Sequence, residues 1–183
     1  SPRASSRGLQ HSSTHSALFM IYIGIDNGLS GAMVAISDVA GTAPIAMTVM
    51  PIRALGKGNE VDAAGVHEWL SGLGPWDQQC VLLETPGKFS PGVMALTSMW
   101  DSYGSIRSIL ECHNIRHHRI PPAQWQKVML VGCAKGNTKP FALSVARRLW
   151  PHETWLPSTR HRTAHDGLVD AALIAEYGRR KQL

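Results

Sequence analysis

The stretch Ile21 to Ile36, IYIGIDNGLSGAMVAI, decides how this chain folds. Ile21–Ile25 is a short β-branched run, Asp26-Asn27-Gly28 is turn chemistry, and Gly31–Ile36 is a second apolar run. Together they predict a β-hairpin whose first strand is closed by an aspartate. Outward from it, Thr42–Met50 reads as a third strand, Gly56–Asn59 as a polar break and Ala63–Leu70 as a helix. After a loop at Gly72–Trp76, Gln79–Leu83 (QCVLL) is a buried strand closed by Glu84, and Pro86–Pro91 is a second loop. Met94–Cys112 is a long helix with apolar Met99, Ile106, Ile109 and Leu110. Ile115–Ile120 is a strand stopped by Pro121-Pro122, and Ala123–Met129 and Lys139–Leu149 are helices. A basic loop, Trp155–Thr163, leads to the final helix, Asp166–Arg180. This order gives an α/β class, a sheet flanked by helices in a single domain.

With 183 residues, 44% hydrophobic and 17% charged, the chain has the material for one real core. No run reaches the ~18 apolar residues of a membrane span, so no membrane partner is expected. Three cysteines without CxxC spacing argue against a disulfide scaffold or a structural zinc site and fit a reducing compartment. The opening SPRASSRGLQHSSTHS has no acid and much serine. It reads as an expression scar or the remnant of an organelle-targeting segment. Residues 1–19 are therefore expected to be a disordered tail, with Met20 a natural start and 20–183 the folded domain. The expected location is cytoplasmic, or an organelle if the tail is a targeting remnant.

Charge is uneven along the chain. From His113 onward there are 12 Lys and Arg against 4 Asp and Glu; before it there are 6 against 9. A basic half suggests a polyanion, because Lys and Arg gain by displacing counterions from phosphates; a merely basic soluble surface is the alternative.

Set in that frame, the acids stand out. Asp26 and Glu84 close two strands, while Asp166 and Asp170 are four apart and share one face at the start of the last helix. Such a cluster inside a basic protein repels itself unless a cation neutralises it, and oxygen-only ligands favour Mg²⁺ or Mn²⁺. Two such ions ~4 Å apart would serve both the attacking and the leaving oxygen of a phosphodiester. Each acid also has a plain reading: turn chemistry for Asp26, a helix cap for Asp166, favourable dipole placement for Asp170. Glu84 is hardest to dismiss, since a buried unpaired carboxylate is expensive.

The ordered blocks GIDNGLSGAMVAI, VLLETP, the Met99–Leu110 helix, KVMLVG, GNTKPFALSVARRLWP and HDGLVDAALIAEYGRR resemble RuvC-type Holliday junction resolvases over about Met20–Arg180. The phage-type and organellar branches look nearer than the bacterial housekeeping branch. The resemblance implies an RNase H-like fold and a homodimer that binds four-way junction DNA. It further implies symmetric nicking of two strands of like polarity with two divalent metals, Mg²⁺ or Mn²⁺, and no small-molecule cofactor. It places metal-binding carboxylates at Asp26, Glu84 and Asp170, with Asp166 as the fourth and His165 assisting. Lys127 and Lys139 align with basic residues near the scissile phosphate, where an ammonium stabilises phosphoryl charge. Phe89 is the candidate for unstacking bases at the junction centre. Lys88, Lys135, Arg147, Arg160 and Arg162 are candidate phosphate contacts, with Arg148 and His161 beside them. The helix carrying Trp100 and Tyr103 is the candidate dimer face, or a core helix.

Three alternatives stay open. One is a general nuclease of the same fold acting on branched DNA or RNA–DNA hybrid. Another is a catalytically dead junction-binding module, which would have no use for a repulsive carboxylate cluster. An actin-like phosphotransferase built on GIDNG would need a second phosphate loop and roughly twice the length.

Overall fold

The computed structural model describes residues 19–87 and 92–183. The serine-rich stretch through residue 18, and the candidates Lys88 and Phe89, lie outside that description. The leading hairpin forms as expected. β1 (Ile21–Asp26) pairs antiparallel with β2 (Ala32–Ser37), joined by a loop in which Gly28 takes φ 126°, a conformation glycine tolerates. β3 (Ala46–Val49) continues the meander but is shorter than the predicted Thr42–Met50. Pro44 has no N–H to give a ladder, and regular pairing begins only at Ala46 opposite Ala35.

The polar break expected at Gly56–Asn59 holds instead the Gly56-Lys57 turn of a second hairpin and the start of its return strand, β4 (Ile52–Leu55) pairing with β5 (Gly58–Val61). Gly56 supplies the left-handed residue at φ 58°, and Arg53 Nε donates to Glu60 Oε1 across the strands at 2.6 Å. β4 is exposed throughout, so its sequence carries no alternation to betray it.

α1 (Ala63–Ser71) is capped by Asp62, whose carboxylate accepts from Ala64 N–H at 3.1 Å. Then follow β6 (Gln79–Glu84), α2 (Val93–Cys112), β7 (Arg116–Ile120), α3 (Pro122–Met129), α4 (Thr138–Leu149) and α5 (Asp166–Lys181). The predicted elements are all present and, apart from the shortened β3, their boundaries move by a residue or so. The sheet runs β3-β2-β1-β6-β7, antiparallel on the β1–β2–β3 side and parallel at β1–β6 and β6–β7. The result is a mixed five-stranded sheet flanked by helices in a single domain. No helix among the described residues is long and apolar enough to cross a membrane.

The pleat sorts the side chains into two cores. Ile21, Ile23 and Ile25 of β1 join Met33, Ala35, Val81 and Leu83 under α1 and α2, with Tyr103, Ile106 and Leu110. Tyr22, Val34, Cys80 and Leu82 face the other way, under α3, α4 and α5. Position 24 lies on that second face, and it must be glycine. A Cβ there would run into the backbone oxygen of Ala171 and come within 2.6 Å of Ala175 N. The central strand and the last helix thus touch backbone to backbone, more closely than any side chain permits.

We expect Gly24→Ala to cost about 3 kcal/mol of stability, the upper range for overpacking a tight interior. Chemical denaturation should show it, with Ala35→Gly serving as a control for glycine effects elsewhere on the sheet.

Candidate active site

The alternation that buries Tyr22 and Leu82 under α5 also fixes where the strands deliver their acids. Asp26 follows Tyr22 and Gly24 on one face; Glu84 follows Cys80 and Leu82 on the same face. The register pairs Ile25 with Leu83, so the two carboxylates emerge side by side at the C-terminal ends of adjacent parallel strands. α5 brings the other two. Gly167, in its first turn, packs on the Ser30–Gly31 backbone, where a Cβ would meet Gly31 C at 2.9 Å. That contact seats the helix start against the loop after β1, and Asp166 and Asp170 face the strand ends.

Asp26, Ser30, Lys139, Ala164, His165, Asp166, Gly167 and Asp170 line an open cleft of about 460 Å³. Its electrostatics are those of an overcrowded anion site. Burial and then the charges of Glu84 and Asp170 push the Asp26 carboxyl far above the usual carboxylate range. Its hydrogen bond with Glu84 raises it further. Glu84 is raised by burial, against hydrogen bonds from Trp125 and Asp26 that favour its charge. Burial, then Glu84 and Asp166, push Asp170 up to about 7. Asp166 is more exposed and accepts an ion pair from Lys139 Nζ at 2.7 Å.

Four of the sequence-predicted residues therefore meet as carboxylates, and Lys139 joins them as the local cation. His165 lies at the rim as the N-cap of α5: its Nδ1 accepts from Leu168 N–H at 3.3 Å. The plain reading of Asp166 as the cap is thereby corrected; it occupies the first turn and lines the cleft, paired with Lys139. Lys127 is exposed in the last turn of α3 and does not line the cleft. Lys135, Arg147, Arg160 and Arg162 are exposed and make no ion pair among the described residues.

Sequence reasoning missed two residues that hold Glu84. Asn27 Nδ2 donates to the Glu84 backbone oxygen at 3.0 Å, and Trp125 Nε1 donates to Glu84 Oε1 at 2.7 Å. A tryptophan inside a short, proline-started helix was the available signal, because a buried indole N–H needs an acceptor. A third, Trp155, is fully buried at φ 58°, and its backbone oxygen accepts from His165 N–H at 2.8 Å, anchoring the basic loop to the start of α5.

The donor set suits Mg²⁺ or Mn²⁺ chemically: it is all oxygen, and carboxyls whose protonation is favoured by burial and by one another's charge are those a divalent cation would ionise. As placed, the acids pair with one another and with Lys139. No three His, Cys, Asp or Glu side chains among the described residues converge on one point. The three cysteines are free.

No protein-family model matches this sequence, and no curated protein does. Among solved structures, the fold is similar to T. thermophilus RuvC in complex with a Holliday junction substrate. The TM-score is 0.52 at 14% identity, covering 89% of this chain and 96% of that one. A second structure of Thermus thermophilus RuvC matches at TM-score 0.48 and 13% identity, covering 89% and 97%. The chain thus has the RuvC-type, RNase H-like fold.

Charging Asp170 costs the folded state, since its proton is held to higher pH there than in the unfolded chain. Stability should fall as pH rises from about 4 to about 7, the loss being complete above that window. In EDTA, Asp170→Asn should exceed the wild type by on the order of 2 kcal/mol at pH 8 and match it near pH 4. Thermal melts at the two pH values decide it; equal stability at both would contradict the crowding described here.

Proposed function

We propose that this protein is a Holliday junction resolvase, a metal-dependent endodeoxyribonuclease that nicks two like-polarity strands of a four-way junction symmetrically. One observation carries the reading. Asp26, Glu84, Asp166 and Asp170 are gathered at the strand ends of a RuvC-type sheet, with protonation raised at three of them. A stability-only design has no reason to bury mutually repelling acids side by side. The related complex contains a Holliday junction substrate, which favours the same substrate class here.

Asp26, Glu84, Asp170 and Asp166 would hold Mg²⁺ or Mn²⁺, two ions per site. When bound, the ions supply the positive charge that lets these carboxylates ionise and that stabilises an in-line displacement at phosphorus. Lys139 lies 2.7 Å from Asp166 and is otherwise exposed, so it can turn to a phosphoryl oxygen and stabilise charge there. His165 has committed Nδ1 to the helix cap, leaving Nε2 as its only nitrogen for proton exchange with a leaving oxygen. Arg147, Arg160, Arg162 and Lys135 would hold the arms by their backbones, reading shape more than sequence. Phe89 and Lys88, in the loop after Glu84, are assigned to the junction centre on resemblance alone. Two copies would place two such clefts on one junction. α2 leaves Val93, Met94 and Trp100 exposed, and this apolar face is the one we assign to the dimer.

Asp26→Asn, Glu84→Gln and Asp170→Asn should each lower nicking by more than about 100-fold, beyond the cost of losing an outer partner of a metal ligand. Junction binding should persist in gel-shift assays. Full activity in any of the three would sink the assignment. Lys139→Ala should reduce the rate at saturating junction by about 100-fold, with little change in binding.

A further inference from the structure

Glu84 is the acid whose surroundings are built most deliberately. Its carboxylate ends a buried strand, and the last torsion of a glutamate side chain is broad, so nothing intrinsic sets the plane of its oxygens. Trp125 sets it. The indole is fully buried, and Nε1–H donates to Oε1 at 2.7 Å, a short charge-assisted bond. The helix that carries it has no slack. β7 ends at Ile120, whose backbone oxygen accepts from Thr85 N–H at 3.0 Å, just past Glu84. A single residue, Pro121, then leads into Pro122 at the start of α3. On its other side Gln124 Nε2 donates to Tyr177 Oη at 2.8 Å, tying α3 to the helix that carries Asp166 and Asp170. Asn27 meanwhile holds the Glu84 backbone oxygen from the Asp26 side.

The choice of donor has a chemical consequence. A lysine or arginine here would neutralise Glu84 and compete with a cation for it. An indole N–H is an uncharged donor with no acceptor capacity: it fixes one carboxylate oxygen without bringing a competing charge to the cleft.

We propose that Trp125 is a positioning residue, holding the Glu84 carboxylate in one orientation for a divalent cation. This rests on the metallonuclease reading of the cleft, but its test has a readout outside activity. With ¹⁵N-labelled tryptophan, the indole N–H resonance that disappears in Trp125→Phe should lie downfield of the others and move upfield in Glu84→Gln. If Trp125→Phe does not fold, the Glu84→Gln comparison still requires a single indole resonance to move. An indole spectrum unchanged by Glu84→Gln overturns the proposal.

In metal-free protein, Mn²⁺ titration followed by electron paramagnetic resonance of the unbound ion should show about tenfold weaker binding in Trp125→Phe, which keeps the ring packing but lacks the N–H. Affinity within twofold of wild type overturns the positioning role. A wild type that binds no Mn²⁺ yet shows the Glu84-dependent indole shift would count against the metallonuclease reading while confirming the bond. Loss of the shift with Mn²⁺ binding intact would do the reverse.

Discussion

The backbone contact between Gly24 and the Ala171–Ala175 segment of α5 is the constraint on which the rest of the molecule depends. It draws the last helix onto the central strand. With that spacing fixed, strand parity places Asp26 and Glu84 on the helix-facing side, and helical spacing places Asp166 and Asp170 opposite them. The site is a consequence of packing: two strand ends and one helix start bring four acids into one neighbourhood. The cost appears as raised carboxyl protonation, and the large two-sided core supplies the stability that tolerates it.

Around that cluster the protein spends several polar contacts on orientation. Trp125 and Asn27 hold Glu84 from opposite sides, His165 caps the helix that carries Asp166 and Asp170, and Trp155 ties His165 to the basic loop. The basic group at the cleft is Lys139, paired with Asp166 and largely exposed. A site organised in this way is anionic, preoriented and open, suited to a cation and a bulky phosphodiester better than to an enclosed small molecule.

How much of this was legible in the sequence follows from the physics of each signal. The Ile21–Ile36 hairpin, the buried QCVLL strand and the final helix carry strong periodicity, and they formed where expected. The four acids were legible because each closes or opens one of those elements. β4–β5 was not, since an exposed hairpin on the surface has no buried face to mark it. The shortening of β3 turned on Pro44, whose missing N–H outweighs the apolar run around it. Lys127 and Lys139 were both candidates, and only Lys139 stands at the cleft; which face of α3 points inward was decided by Trp125, Met129 and the core beneath them. The Trp125–Glu84 bond joins residues 41 apart and belongs to tertiary structure alone.

The central claim, that this acidic cleft cuts junctions, is tested most directly with an end-labelled four-way junction, a matched linear duplex and an RNA–DNA hybrid, each with Mg²⁺ or EDTA. Paired, ligatable nicks confined to the junction and abolished by EDTA are the predicted result. Equal cutting of duplex or hybrid, or junction binding without cutting in either Mg²⁺ or Mn²⁺, would contradict it.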